Sequence, residues 1–130
     1  MESRFRRDLM AWLAADPVLT AGLNGIREES PPAAPPPWLG LAASASANWG
    51  AKEAPGREVR VALELVLRGD DAEALAELCD ALERRVATMP ADQGGYRVVV
   101  TQFLRSRAER RAGNLRAVLS EWRFLILADR

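Results

Sequence analysis

Histidine is absent from this sequence of 130 residues, and cysteine occurs once, as Cys79. The absence of histidine excludes serine or cysteine nucleophiles that an imidazole activates, and it removes the ligand on which most zinc sites depend. A single cysteine cannot form a disulfide within the chain. Because Cys79 falls on the apolar side of a predicted helix, the sequence favours a buried structural thiol over a reactive one.

Lysine is nearly as rare, since Lys52 is the one lysine of the chain. A phosphate-binding loop needs glycines followed by a lysine, and the sequence has no such arrangement. Carboxylates such as Asp71, Glu77 and Asp80 fall mainly on the polar face of a helix or at its start, where they form no catalytic pair. We therefore expect no enzymatic activity, no cofactor and no metal ion.

Charge and hydropathy narrow the range of partners. Acidic and basic residues number 18 each, so the net charge does not indicate nucleic acid, a membrane or an acidic substrate. No apolar stretch is long enough to span a bilayer, and the N-terminus lacks the apolar region of a signal peptide. We expect a single domain over residues 1–130, made in the cytoplasm and without a membrane partner.

Residues 55–89 predict one strand followed directly by one helix. Strict alternation of apolar and polar residues indicates a strand with one face on a core, and its apolar positions are Val59, Val61, Leu63, Leu65 and Leu67. After this strand, Asp70 is expected to cap a helix, with Glu73 completing a capping box. The apolar stripe of the helix comprises Leu75, Leu78, Cys79, Leu82, Val86 and Met89. This helix is expected to lie across the sheet and to end at Pro90.

The N-terminal part predicts helices, an edge strand and a loop before the first long strand. Residues 2–15 form an amphipathic helix that ends before a proline, and this proline opens a second short helical turn. Residues 26–29 are expected to form a short edge strand, and the proline-rich residues 30–37 a polyproline surface loop or, alternatively, a PxxP ligand. The small residues of 38–49 predict a strand that forms a long hairpin with the next one, through an exposed loop at residues 51–56.

Two further strands are predicted towards the C-terminus. Residues 96–104 carry apolar side chains on both faces, which indicates either an inner strand or an outer face that meets a partner. The last strand, residues 114–128, is apolar on both faces towards its end, and we expect another subunit to cover it. The elements together predict an α/β protein of the α+β type, with a mixed, mainly antiparallel sheet of four to five strands packed by an N-terminal helix and one long central helix.

A basic segment at residues 105–113 lies between these two strands. Its arginines suit a hairpin tip that contacts phosphate or an acidic protein surface, and the alternative is a solvated loop that Glu109 partly neutralises. Trp49, at the end of the other hairpin, is either a lid on the core or an interface anchor. The candidate partner-contact residues are Trp49, Lys52, Arg105, Arg107, Arg110, Arg111, Arg116 and Trp122.

The order of these features resembles the tail-completion or tail-terminator family of long-tailed phages, prophages and gene transfer agents. The resemblance covers nearly the whole chain and depends on patterns of core and turn residues, not on a catalytic signature. Those patterns are the N-terminal helix running into Ala15, Asp16 and Pro17, the proline-rich link, the small-residue strand ending at Trp49, the start Pro55, Gly56, Arg57 and Glu58 of the alternating strand, the helix start Asp71, Ala72, Glu73 and Ala74, the strand start Tyr96, Arg97 and Val98, and the arginine-rich hairpin.

This resemblance implies a structural protein of a virion or phage-like particle that is assembled in the host cytoplasm. Such a protein forms a ring, usually of six copies, that caps the tail tube, ends its polymerisation and joins it to a head-side connector or stopper protein. DNA would pass through the lumen without specific binding. The alternative function is a small α/β nucleic-acid-binding module that uses the arginine-rich hairpin at residues 105–116.

Overall fold

The computed structural model of the protein describes residues 1–28, 35–51 and 53–129. The regular elements of these residues are α1 (Glu2–Ala14), α2 (Pro17–Gly22), β1 (Ile26–Arg27), β2 (Trp38–Ala51), β3 (Ala54–Arg68), α3 (Ala72–Ala87), β4 (Tyr96–Arg111) and β5 (Leu115–Ala128). No helix within the described part of the chain is long and apolar enough to cross a membrane.

The strands form one sheet in the order β1, β2, β3, β5, β4. β1 pairs with β2 in parallel, and all other neighbours are antiparallel. This topology confirms the predicted mixed, mainly antiparallel α+β fold. It also places β4 at an edge of the sheet. Of the two alternatives predicted for this strand, the inner strand is therefore wrong.

The core lies between the sheet and helices α1 and α3, which pack on the same side of it. We call this the helix side of the sheet and the other the open side. All five apolar positions predicted for β3 are at most 3% exposed. α1 contributes Phe5, Leu9 and Leu13, which recur at helical spacing and are fully buried. The ring of Phe5 packs on that of Phe124 in β5, with centroids 4.7 Å apart.

The strands are much longer than the helices that cover them. The four long strands have 14 to 16 residues, which corresponds to roughly 50 Å at about 3.3 Å per residue. α1 and α3 have 13 and 16 residues and are therefore only about 20 to 24 Å long. The second halves of β2 and β4 stay largely exposed, at opposite corners of the sheet.

A reciprocal contact between Trp12 and Arg85 joins α1 to α3. The Arg85 guanidinium lies 3.3 Å from the centroid of the Trp12 ring, and its Nε donates to the Trp12 carbonyl at 2.9 Å. In return, the indole Nε1 of Trp12 donates to the Arg85 carbonyl at 2.7 Å. The contact satisfies a carbonyl near the end of each helix, where intrahelical partners run out.

The N-terminal half of α1 is held by the segment that leads into β4. The Tyr96 hydroxyl donates to Oδ2 of Asp8 at 2.7 Å, and Nη2 of Arg4 donates to the Gln93 and Gly94 carbonyls at 2.9 Å. Burial, together with the hydrogen bond to Asp8, raises the pKa of Tyr96. The phenol therefore stays a neutral donor over the physiological pH range.

Three predictions about local structure need correction. Asp71, not Asp70, caps α3 and accepts from the Ala74 amide at 3.0 Å, so the capping box with Glu73 does not form. The expected loop at residues 51–56 is mostly strand, because Ala51 already pairs with Ala54. Lys52, Glu29 and residues 30–34, and with them most of the polyproline and PxxP predictions, lie outside the described residues.

We expect Arg85→Ala to lower the free energy of unfolding by about 2 kcal/mol, because it removes a stacked cation and a hydrogen bond between the two core helices. Arg85→Lys keeps the charge but not the planar stacking and should recover only part of this loss. Urea denaturation of both variants measures the effect. An alanine variant within about 0.5 kcal/mol of the unchanged protein would contradict this role of the contact.

Candidate partner-binding surface

The arginine-rich segment is part of the sheet and not a flexible loop. β4 continues to Arg111 and pairs with β5 down to Arg111 opposite Leu115, so only residues 112–114 form the turn. The Gly69 amide donates to the Asn114 carbonyl at 2.7 Å and ties this turn to the end of β3. The predicted hairpin therefore exists, but a strand ladder fixes the positions of its arginines.

Two of the predicted arginines are neutralised on the open side of the sheet. Arg105 forms an ion pair with Glu121, its cross-strand partner. Arg111 reaches across β5 to Oε2 of Glu64 on β3, at 2.5 Å, and also contacts Glu109 at 2.7 Å. Glu64 is only 7% exposed, so this contact ties the hairpin to the middle of the sheet.

The pKa values of this group follow from the same contacts. The hydrogen bond from Arg111 lowers the pKa of Glu109, and the nearby charges of Arg111 and Arg107 act in the same direction. In return, the hydrogen bonds to Glu109 and Glu64 raise the pKa of Arg111. Arg111 therefore acts mainly as an internal anchor, although the sequence indicated a partner contact.

Arg110 and Arg116 differ from these anchored arginines. They lie directly opposite each other across the ladder of β4 and β5, and like charges in such a pair repel. Neither side chain forms an ion pair with any of the residues that the structure describes. Together with Arg111, Gly69 and Asn114, they line a cleft of about 400 Å³, which we call the arginine end of the sheet.

A cleft with this lining favours an anionic partner. Guanidinium groups bind carboxylates and phosphates through paired N–H donors, and an opposing like charge makes an external anion more favourable still. Arg107 is likewise exposed on β4 without an ion pair among the described side chains. Arg107, Arg110 and Arg116 are therefore the predicted arginines that are available for a partner.

Trp49 lies at the other end of the sheet, where β2 turns into β3. It is half-buried and borders a cleft of about 390 Å³ together with Met1, Asn48 and Arg57. We call this cleft the tryptophan end of the sheet. Partial exposure at a hairpin end is compatible with an interface anchor, and Trp49 does not belong to the main core cluster.

Trp122 is not available as a contact residue, and this part of the prediction needs correction. Its side chain is 3% exposed, its indole donates to Oγ of Ser120 at 2.6 Å, and Phe103 packs edge-on against it. The exposed apolar surface lies instead on β4, where Val99, Phe103 and Leu104 are 50%, 43% and 37% exposed. The sequence signal for these residues was the apolar character of both faces between positions 96 and 104.

The open side of the sheet needs less cover than the sequence suggested. Leu125, an apolar residue on this side of β5, is only 7% exposed within the single chain. The middle of the open side carries a charge network in which Arg123 contacts Glu58 at 2.8 Å and Gln102 at 3.2 Å. The hydrogen bond from Arg123 lowers the pKa of Glu58. This face is therefore largely self-neutralised.

The acidic residues and the single cysteine are the side chains of the described chain that bear on metal-ligating and thiol chemistry. They contain no group of three or more histidine, cysteine, aspartate or glutamate side chains that could hold a metal ion. Burial raises the pKa of the Cys79 thiol, and the nearby charges of Glu83 and Asp80 raise it further. A thiol of this kind stays protonated, which agrees with the structural role that its position in the sequence indicated.

Comparison with known proteins identifies one family, and the fold is similar to that of chains in solved structures. Residues 7–127 match the sequence profile of the family described as tail completion protein gp17. A chain from a solved structure, "Virion of native gene transfer agent (GTA) particle", superimposes with a TM-score of 0.75 at 20% identity, covering 94% of this chain and 93% of that chain. At this level of identity the likeness shows a shared fold. No significant match was found among curated proteins.

We expect Arg111→Ala to lower the free energy of unfolding by about 1 to 2 kcal/mol, because it removes hydrogen bonds to two carboxylates. Solvent screens part of this interaction, since the side chain is 34% exposed. The matched control is Arg110→Ala, which removes only a like-charge contact and should be neutral or slightly stabilising. Urea denaturation distinguishes the two, and equal losses in both variants would contradict the assignment of anchored and available arginines.

Proposed function

This chain belongs to the gp17 family of tail completion proteins, and from that premise we propose that it forms a ring that caps the tail tube, ends its polymerisation and joins it to a head-side connector or stopper protein. The match to this family confirms the resemblance found in the sequence, and the chain is a structural tail protein. A structural family of this kind weighs against enzymatic activity.

The observation that carries the proposal is the separation of the two candidate contact sites. The tryptophan end lies where β3 begins, and the arginine end lies where β3 stops. β3 has 15 residues, so the two ends are roughly 50 Å apart along the strands. If the strands run along the ring axis, one end faces the tube and the other faces the connector, as a joining protein requires.

The chemistry of the two ends differs, which suits two different partners. At the arginine end, Arg110 and Arg116 have no ion-pair partner among the described side chains, and their positive charge favours an acidic protein surface. The tryptophan end combines an indole with a hairpin turn and favours a packed, partly apolar contact. We place the protein in the tail of a phage-like particle, assembled in the host cytoplasm, with DNA passing through the lumen without specific binding. A ring of six is the expected number of copies.

A second candidate function uses the same arginine end. Arg110 and Arg116 form a like-charged pair that would also bind phosphate, so a nucleic-acid-binding module is the alternative. Phosphate contacts make affinity fall steeply with salt concentration. Filter binding to duplex DNA between 50 and 200 mM salt, taken as roughly the informative range, distinguishes the two. No binding at low salt, or a flat salt response, would eliminate this alternative.

We expect the double variant Arg110→Glu/Arg116→Glu to fold with unchanged stability and to lose roughly tenfold or more of its affinity for one of the two tail partners. The control is Arg7→Glu, which reverses an exposed arginine of α1 far from this end. Cosedimentation with isolated tail tubes and, separately, with connector complexes measures both affinities. Unchanged binding to both partners would refute the docking role of the arginine end.

We expect Trp49→Ala to weaken binding to the other partner, because the indole is the largest apolar side chain that borders the cleft at the tryptophan end. Stability should change little, since Trp49 lies outside the core cluster. The same cosedimentation assay tests this prediction. If the variants at both ends weaken binding to the same partner only, the proposal that the two ends of the strands bind different partners is wrong.

A further inference from the structure

Both edges of the sheet are open over most of their length in the described chain. β1 pairs with β2 only at Leu39 and Gly40, and no other described residue pairs with the outer edge of β2 at residues 41–51. At the opposite edge, the segment before β4 pairs with it only as far as residue 98, through a bridge from Asp92 to Arg97 and a hydrogen bond from the Val98 amide. Unpaired backbone groups of this kind are a template for another strand.

The open edge of β2 lacks the usual protection against pairing. Proteins normally block an exposed edge with charged residues, prolines or a very short strand. Residues 41–51 contain neither a charged residue nor a proline, and most of them are alanine or serine. A long edge made of small, uncharged residues lets another backbone approach closely.

The open edge of β4 carries the exposed apolar side chains of the sheet. Val99 and Leu104 occupy the two positions where the register with β5 shifts, and Phe103 lies between them. A bulge turns side chains away from their regular direction. The large side chains of the β4 edge and the small ones of the β2 edge are complementary in size. The β4 edge of one copy therefore fits the β2 edge of a second copy better than it fits another β4 edge.

Strand direction supports the same pairing. The four long strands alternate in direction, so β2 and β4 of one copy run antiparallel. Rotation about an axis along the strands keeps these directions, and it therefore brings β4 of one copy antiparallel to β2 of the next. The contact is heterologous, and a heterologous contact closes into a ring when the rotation divides the circle evenly.

Rotation about this axis also fixes which residues are level with one another. Within one chain, the ladders align one residue of each long strand in a row across the sheet. One such row is Ser46, Val59, Phe124 and Thr101. Two residues further along the strands, another row is Ser44, Val61, Trp122 and Phe103. Between neighbouring copies, Ser46 would then be level with Thr101, and Ser44 with Phe103. A serine beside the Phe103 ring leaves space for the larger side chain.

We infer that neighbouring copies associate by antiparallel pairing of the β4 edge, residues 99–106, with the β2 edge of the next copy, residues 41–47, so that one continuous sheet forms the wall of the ring. This inference depends on the proposed ring and names its interface. Main-chain hydrogen bonds supply affinity in such a contact, and the side chains at the edge supply specificity.

Cross-linking tests the pairing directly. In a Cys79→Ser background, the double variant Ser46→Cys/Thr101→Cys carries one thiol on each edge. A short bismaleimide should convert it into a ladder of species beyond the dimer, both on tail tubes and in the free chain at high concentration. Each single variant should stay uncross-linked. Dimers from either single variant would indicate an isologous contact and overturn the inference, as would the absence of cross-links under both conditions.

A second pair of variants tests the edge without thiols. Val99→Lys/Leu104→Lys places charges on exposed positions of β4, where lysine blocks edge pairing, and should abolish rings without lowering stability. The matched control is Val18→Lys, because Val18 is 56% exposed and belongs to α2, not to a strand. Rings that persist in the β4 variant would overturn the inference.

The outcomes separate this inference from the proposed function. Capped tubes in electron micrographs without β2 to β4 cross-links would leave the tail-capping function standing and refute the interface. Cross-linked ladders of the free chain together with uncapped tubes would support the interface and refute the function. Cross-links from β4 to the tube protein in place of β2 would assign this edge to the tube and likewise overturn the inference.

Discussion

The fold depends on a mismatch of length between its strands and its helices. Four strands of 14 to 16 residues rise at about 3.3 Å per residue, whereas a helix rises only 1.5 Å, so two helices of similar residue number cover about half of the sheet. The covered half supplies the core, which the contacts of Trp12 with Arg85 and of Tyr96 with Asp8 fix in place. The uncovered half is the surface from which a structural assembly protein can build contacts.

Charge is distributed on this surface according to the same geometry. In the middle of the open side, carboxylates neutralise arginines of neighbouring strands, as in the contact of Arg123 with Glu58 and that of Arg105 with Glu121. At the end of β4 the ladder runs out of acidic partners, and Arg110 meets Arg116. Positive charge is therefore left where the strands end, and this is where the proposed ring would meet a neighbouring component of the tail.

The sequence predicted most of the fold and less of the surface. Period-two alternation in β3 and the helical stripe of α3 are local patterns, so most of their core residues were identified correctly. Leu75 and Cys79 of the predicted stripe are only partly buried, and Ala81 is a core residue that the stripe did not include. Two adjacent aspartates made the cap ambiguous, and the dense charge after Leu104 suggested a loop because the partners that stabilise a strand there, Glu64 and Glu121, are distant in sequence. Burial of Trp122 depends on Ser120 and Phe103 in the folded sheet, and no local pattern indicates it.

Hydrogen–deuterium exchange of the free chain and of the chain bound to tail tubes would test the central claim most directly. The claim is that long, uncovered strand edges are completed by neighbouring copies in the assembled tail. It predicts fast exchange in the free chain of the outward-facing amides within residues 42–47 and 99–106, which the ladders with β3 and β5 leave unbonded. After assembly, these amides should become strongly protected in both segments together. Protection confined to the turns at the two ends of the strands, with both edges still exchanging fast, would contradict it.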